Sequence, residues 1–509
     1  MKAISSGSFK NDMSLLLGQV IRKTSNTLQH LNDYIFYCKK EKIHQSQRAI
    51  SFIYDQLKST LDLLMAIQIT LECNNCTISK LMQIESEIRV AIQSIASINL
   101  YLSWRSPLYS QSMTPQFFNL QDQQSKRILY ERWEHKEIER IELQMLKIFG
   151  LSDSEFGCTV VNSGMAAFSL VESFLIRNFL KHGDSIVMSP NIYFESREQL
   201  RSLNWLKIIE SKSYNYKDII KLVEIHQAKA IFVDILTNTE EQRMVDIPSL
   251  LDYFHHCTNC PLLIIDGTML PCATIPYIIS FPKKENIFYF ESCSKYLQLG
   301  LDMSIAGILI YDVKLKHKLD ILRRNMGLML SEHNAHLFPI YKKKQLMDRI
   351  HRIESNACII AGRLSADKEI IETYDIIYPN LSNHPDHSLA QKIDRYGGCI
   401  IFKCKIKDSK LLLKIKMLAE ILMKNARANK VPIGQGLSFG FSFPRVHIDV
   451  ICTVDESSNK SNKTTGFLRL YHGDQAKLNE PLIKLLTTSL KEHKTLFFDQ
   501  NILLTPIID

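Results

Sequence analysis

The chain has 509 residues, 45% hydrophobic and 23% charged, with a formal net charge of +9, which suits a globular protein of roughly two to four domains. Eighteen glycines and twelve cysteines exclude a collagen-like or linker-rich chain and a disulfide scaffold. The positive surplus is spread without basic blocks or a nucleic-acid motif, so it reads as a solvated surface with no nucleic-acid partner.

The first residues lack the apolar core and small-residue cleavage site of a secretory leader. No run approaches the roughly 18 apolar residues of a membrane span. A soluble cytoplasmic chain with reduced thiols and no membrane partner is expected. Residues 1 to about 105 carry no Pro, and no Gly after Gly18, and their apolar residues recur at helical spacing. Ile50, Ile53, Tyr54, Leu57, Leu61 and Leu64 form one such stripe; Ile84, Ile88, Ala91, Ile92 and Ile95 form another. Three or four helices in a hairpin or small bundle are predicted, as a packing or oligomerisation appendage. A Pro/Ser/Gln-rich passage, Ser103 to Ser125, reads as an extended linker, and residues 106–150 as an arm leading into a first helix.

From Arg127 the rhythm changes. Helical patterns at Glu131 to Phe149, Met165 to Phe179, Tyr216 to His226 and Pro248 to His255 separate the runs SIVMS, AIFVDIL, LLIID, NIFYFES and IAGILIY. Such alternation predicts an α/β domain with a mostly parallel sheet, spanning 151–336. Beyond it, a long helix from Lys342 to Leu364, strands in CIIFKCKI and VHIDVIC, and a helix near Glu480 to Lys491 predict a smaller α+β domain over 337–509.

Chemistry-bearing residues gather at predicted strand ends. Asp266 closes LLIID, and in open α/β sheets ligands bind beyond the carboxyl ends of strands. FESCSKY brings Ser292, Ser294 and Lys295 to another strand end. NSGMAAF, Asn162 to Phe168, is a small-residue turn opening a helix, where backbone N–H groups can meet an anion. An Asp and a Lys at neighbouring ends can be an ion pair, and Ser-Gly before a helix can be a plain cap. Taken together they describe a phosphate cup, a carboxylate for a ring nitrogen and a lysine for an aldehyde.

With these residues in place, the sequence resembles the cystathionine synthase/lyase family, the Cys/Met-metabolism pyridoxal-phosphate enzymes of fold type I, in order from Tyr130 to Lys491. The resemblance implies the aspartate-aminotransferase fold with a helical N-terminal extension, pyridoxal 5'-phosphate as cofactor and a small-molecule amino-acid substrate. YERWEHKEIERIE resembles the segment that reaches the neighbouring subunit's phosphate site, implying Tyr130 and Arg132 there and a homodimer or homotetramer. NSGMAA implies Gly164 and Met165 on the phosphate, and SCSKY implies Ser292 and Ser294 on the phosphate with Lys295 on the aldehyde. SPNIYFES implies ring stacking and proton-transfer help by Tyr193; IFVDILTNTEEQRMVDIP implies Asn238 near the cofactor hydroxyl. LLIIDGT implies Asp266 on the pyridine nitrogen, and FLRLYHG implies Arg469 on the substrate carboxylate. YPNLSNHPDHSLA and YGGCIIF are also recognisably the family's.

Four segments depart from the pattern. After the lysine, KYLQLGLD keeps Tyr296 and Asp302 but loses the usual glycine-histidine-serine polar middle. His135-Lys136-Glu137 stands for asparagine-proline-threonine, Asp266-Gly267-Thr268 for aspartate-asparagine-threonine, and GLSFGFSFPR for a serine-leucine-glycine-glycine segment. Elsewhere, Cys73/Cys76 and Cys257/Cys260 could supply four thiolates, but they fall in different expected domains and lack companions, so no metal site is expected. HPDH, His384 to His387, reads as a turn, and the basic stretch Tyr341 to Arg352 as a solvated helix face.

The resemblance implies β- or γ-elimination or γ-replacement on a sulfur amino acid or an O-acylhomoserine-like substrate. The altered LGLD and LSFGFSF segments also suit a specialised biosynthetic enzyme that forms a new bond at an amino-acid Cγ. A non-catalytic scaffold on the inherited fold is the alternative outside enzymes; Lys295, Asp266 and Arg469 together argue against it.

Overall fold

The computed structural model describes residues 7–40, 47–72, 77–103, 133, 135–405, 411–454 and 461–499. The linker expected over Ser103 to Ser125 lies outside them beyond its first residue, as do Tyr130, Arg132 and the Cys73/Cys76 pair. The chain forms two compact units. The first comprises Met1–Asn178, Phe290–Ser294 and Leu301–Leu346; the second comprises Phe179–Tyr289, Lys295–Gly300 and Met347–Asp509.

The first unit opens with three long helices, α1 (Gly7–Lys40), α2 (Gln47–Glu72) and α3 (Ile78–Ser103). Their apolar stripes meet in one core, where Leu17, Leu31, Leu57, Leu64, Ile84 and Ile88 are fully buried. The expected stripe of α2 is buried at Ile53, Leu57 and Leu64 and half-buried at Tyr54 and Leu61, while the side chain of Ile50 lies outside the description. The α3 stripe is buried from Ile84 to Ile95 at all five named positions. Leu301 and Leu337 belong to the same core.

Helix α4 (Lys136–Phe149) begins later than the pattern from Glu131 predicts. His135 is extended, and its Nδ1 accepts the Ile138 N–H at 3.3 Å. That fixes the proton on Nε2, which donates to the Leu330 carbonyl at 2.9 Å. His135-Lys136-Glu137 is therefore a helix cap. Strand β1 (Phe156–Val161), which the sequence reading missed, precedes α5 (Gly164–Asn178). Buried Glu142 of α4 accepts the Val160 N–H and pairs with Arg323, whose guanidinium also donates to the Val160 carbonyl. Arg323 Nη2 also donates to Asp320 at 3.2 Å, so most of this buried pair's polar atoms are met, as charges taken out of water require.

In the second unit, β2 (Ser185–Met188), α6 (Phe194–Arg201), β3 (Lys207–Glu210), α7 (Tyr216–His226), β4 (Ala230–Asp234), α8 (Ile247–His256) and β5 (Leu262–Asp266) alternate as predicted, β3 and α6 being additional. Asn215 caps α7 and Asp246 caps α8, each accepting a first-turn N–H. Strand β6 (Ile287–Ser292) begins in this unit and ends in the first. The strand order here is β6-β5-β4-β2-β3; in the first unit it is β1-β7-β6, with β7 at Gly307–Asp312. β2, β3, β4 and β5 pair in parallel, and β1 pairs antiparallel with β7. Strands β2, β4 and β5 are buried on both faces, which is why they read as continuous apolar runs.

Helices α9 (Lys316–Asn325) and α10 (Glu332–Leu337) lie in the first unit; α11 (Lys343–Ser365) leads out of it. The rest of the second unit is a five-stranded sheet in the order β10-β11-β12-β9-β8. It comprises β8 (Tyr374–Ile377), β9 (Cys399–Cys404), β10 (Gly434–Gln435), β11 (Arg445–Val454) and β12 (Ser461–Tyr471). Helices α12 (Leu411–Ala428) and α13 (Asn479–Lys494) pack together, and α12 packs on β11 and β12. The reading foresaw only β9 and β11 among these strands, and it passed over α12, whose buried Leu411, Ile415, Leu418 and Leu422 keep helical spacing.

Candidate active site

In the first unit, β1 ends at Val161 and α5 starts at Gly164, so a helix N-terminus with its partial positive charge sits just past a strand end. The Ser163 hydroxyl accepts the Ala166 N–H at 2.9 Å and orders this turn. A Cβ on Gly164 would lie 2.8 Å from the Cβ of Ser292, so only glycine lets this backbone approach the end of β6. Gly307 shows the same need, since a Cβ there would lie 2.1 Å from the Ser163 carbonyl oxygen. The Ala306 N–H reaches the Ser294 hydroxyl at 3.4 Å, and the Cys293 N–H donates to the Ala306 carbonyl at 2.8 Å. Gly164, with Met165 next to it, is thus brought to Ser292; Ser294 follows two residues on. Backbone amides, a helix end and two hydroxyls are a donor set for a phosphate-like anion.

In the second unit, parallel pairing puts Asp234 directly opposite Asp266 at the ends of β4 and β5. Asp266 Oδ1 accepts the Thr268 N–H at 2.8 Å, and Asp234 Oδ2 accepts the Tyr193 N–H at 2.9 Å. Burial pushes the Asp266 carboxyl up to about 6, against the hydrogen bonds from Thr268. Burial also pushes Asp234 up, and the neighbouring Asp266 charge adds to it. A cationic ring nitrogen is the partner that would favour the Asp266 anion. Gly267 has a packing reason: a Cβ would fall 2.0 Å from the Tyr289 hydroxyl, which accepts the Cys272 N–H at 3.2 Å.

Lys295 Nζ donates to the Ser438 hydroxyl at 2.7 Å and lies 5.2 Å from the centre of the Phe439 ring. Gly440 has φ +87°, and a Cβ there would sit 2.7 Å from the Lys295 carbonyl carbon. The altered GLSFGFSFPR segment therefore wraps the lysine. Tyr296, fully buried, accepts the Gly398 N–H on its hydroxyl at 3.1 Å. Phe439 stacks on Tyr471, centroids 5.1 Å apart. Tyr193 is half-buried at the start of α6, and burial followed by Glu195 pushes its hydroxyl up to about 12.

Arg469 is buried on β12; its Nη2 donates to the Asn238 carbonyl at 2.6 Å and its Nη1 to the Tyr471 hydroxyl at 3.4 Å. The two expected residues Arg469 and Asn238 are thus joined, through the Asn238 backbone. Sequence reasoning missed Asp234 and Ser438 as site residues. Asp234 carried the same strand-end signal as Asp266, in AIFVDIL; Ser438 lies in a segment noted only as altered. The HPDH turn is held by Asp386, which accepts Arg243 Nε and Nη2 at 2.8 and 3.1 Å and the Met244 N–H. Cys257 and Cys260 are free thiols, and burial pushes Cys260 up to about 11. Among the described residues, no group of three or more His, Cys, Asp or Glu is arranged to hold a metal.

The chain is similar to several known proteins. The bifunctional enzyme flvA of Aspergillus flavus is 26% identical over 422 residues, 81% of this chain and 49% of the relative. Cystathionine gamma-lyase of Macaca fascicularis is 24% identical over 248 residues, 48% of this chain and 56% of the relative. The chain thus spans about half the length of these curated relatives. In fold, it matches cystathionine gamma synthase from Xanthomonas oryzae pv. oryzae with a TM-score of 0.57 at 18% identity, over 73% of this chain and 89% of that one. A methionine gamma lyase from Micromonospora echinospora matches with a TM-score of 0.55 at 18% identity, covering 73% and 90%. Together they support fold type I. A family model described as Cys/Met metabolism PLP-dependent enzyme matches residues 96–425, and the chain belongs to that family.

Proposed function

We propose that the chain is a lyase or transferase that uses pyridoxal 5'-phosphate for β- or γ-elimination, or γ-replacement, on a sulfur amino acid or an O-acylhomoserine-like substrate. The residues fit the cofactor group by group. Gly164, Met165, Ser292 and Ser294 suit its phosphate, Asp266 its ring nitrogen, Tyr193 its ring face and Lys295 its aldehyde. The observation that carries the reading is the 2.7 Å hydrogen bond from Lys295 Nζ to Ser438, which holds a reactive amine in one orientation. When bound, the cofactor supplies an electron sink for the pair left at the substrate's Cα.

The remaining work falls to side chains. Arg469 takes the substrate carboxylate bidentately and so fixes which Cα bond is cleaved. Lys295 Nζ accepts the Cα proton as general base and can return it at a neighbouring carbon as general acid. Ser438 accepts from that amine and steers it between the two positions. Tyr193, neutral until about pH 12, keeps its proton for a departing thiolate or carboxylate. Asp266 as an anion would hold the proton on the ring nitrogen of the bound cofactor. Tyr130 and Arg132 would serve a neighbouring copy's phosphate site, so the working form is at least a dimer. No helix of the described residues is long and apolar enough to cross a membrane; a cytoplasmic location completes the proposal.

The Phe439–Tyr471 stack beside Lys295 supports a second reading, a biosynthetic enzyme that joins a carbon, nitrogen or sulfur nucleophile to Cγ against an aromatic wall. The test is the visible absorption of full-length protein with added pyridoxal phosphate, followed by borohydride reduction and peptide mapping. A band lost in Lys295→Ala, with reduced cofactor on the Lys295 peptide, supports the enzyme. Keto-acid release from thiol and acyl-ester amino acids separates elimination from replacement. No band and no trapped peptide would sink the proposal and favour a scaffold.

A further inference from the structure

We propose that the N-terminal helices are a brace for the loop that follows Lys295, and that Leu301 is the positioning residue through which they act. The bundle and the loop share one hydrophobic core. Leu301 is 1% exposed among the fully buried leucines and isoleucines of α1, α2 and α3, and Met303 packs against the same cluster. An apolar side chain stands here where the resembled pattern carries a serine, so the altered loop and the added helices are two sides of one contact.

The loop needs an external hold. Leu299, Gly300 and Asp302 all adopt positive φ, at 53°, 87° and 50°. Two of the three are not glycine, and such residues keep left-handed conformations only where their surroundings enforce them. A polar seam fixes the bundle beside this core. Lys23 of α1 bonds His336 Nδ1 at 3.2 Å, and α10, which carries His336, packs against both α3 and α4. Glu137 pairs with Arg140 at 2.7 Å and faces His336 at 3.8 Å, while Arg140 also donates to the Ala335 carbonyl. Lys23 is held below its usual range by burial, against the attraction of Glu137. The helices are thus built into the first unit by apolar and polar contacts together. Loosening their core frees the Leu301 side chain, and the loop relaxes along the chain toward Lys295.

The inference rests on Lys295 as the cofactor-bearing lysine only for its second readout. Full-length wild type, Leu301→Ser, Leu301→Met and the remote bundle variants Ile88→Ala and Ile88→Val are compared by hydrogen exchange and by pH titration of the visible cofactor band. Leu301→Ser and Ile88→Ala should speed exchange at residues 299–304 by about tenfold or more. Both should move the midpoint of the band in the same direction, with the amides of β4 unchanged. Ile88→Val should give a smaller effect, and Leu301→Met should return to wild-type behaviour. Faster exchange in α3 with residues 299–304 and the band unmoved would overturn the brace. If wild type shows no band, the functional reading fails, and the exchange result alone decides this proposal.

Discussion

Asp266 stores an electrostatic conflict that the bound cofactor would relieve. Its carboxyl is pushed up to about 6 by burial, so the folded chain holds that proton more tightly than the unfolded chain does. The group's contribution to stability is complete below about pH 4 and is lost as pH rises through 6. In cofactor-free protein, Asp266→Asn should therefore stabilise the fold at pH 8 by roughly 2–3 kcal/mol and change little at pH 4. The same variant should retain pyridoxal phosphate poorly; urea melts at both pH values and dialysis retention check the pair of outcomes. Ser438→Ala removes the hydroxyl that accepts from Lys295 Nζ. A hydrogen bond to a charged amine contributes about 1.5–3 kcal/mol, so kcat should fall about ten- to a hundredfold with KM changed less, in steady-state assays on whichever substrate the panel identifies.

At the scale of elements, the proposed phosphate cup of the first unit is a meeting of a helix start with a strand end. Gly164 permits it, because any Cβ would strike Ser292 at 2.8 Å. Gly164→Ala should raise the dissociation constant for pyridoxal phosphate by about tenfold or more while hardly touching pyridoxal, which lacks the phosphate. Equilibrium titration by fluorescence distinguishes the two, and equal weakening of both would argue against a phosphate cup at α5. In the second unit, parallel pairing of β4 and β5 sets Asp234 opposite Asp266. A shift of one residue in that register would put the two carboxylates on opposite faces of the sheet.

Over the whole molecule, the second unit buries neutral histidines. His493 Nε2 donates to the Lys414 carbonyl at 2.6 Å, so Nδ1 is the acceptor for the Tyr374 hydroxyl. Burial lowers His493 to about 4, and does the same to His472. The unfolded chain binds those protons first, so stability should drop as pH falls from about 6.5 to 4, opposite in sign to Asp266. His493→Gln should flatten that acid slope in thermal melts. Much was determined by the sequence alone. Helix and strand periodicity fixed the bundle and the strands β2, β4 and β5, because burial on one stripe or both faces writes itself into local order. Strand-end Asp266, Ser292 and Lys295 were legible for the same reason. The edge strands β3 and β8 were not, since short, part-exposed segments leave little apolar pattern, and the bond between Lys295 and Ser438 joins residues 143 apart in sequence. Only the tertiary structure decided that GLSFGFSFPR wraps the lysine, that Tyr289 demands Gly267, and that Leu301 belongs to the core of helices hundreds of residues away. Those facts depend on which surfaces meet in space, and no local periodicity encodes a meeting between distant segments.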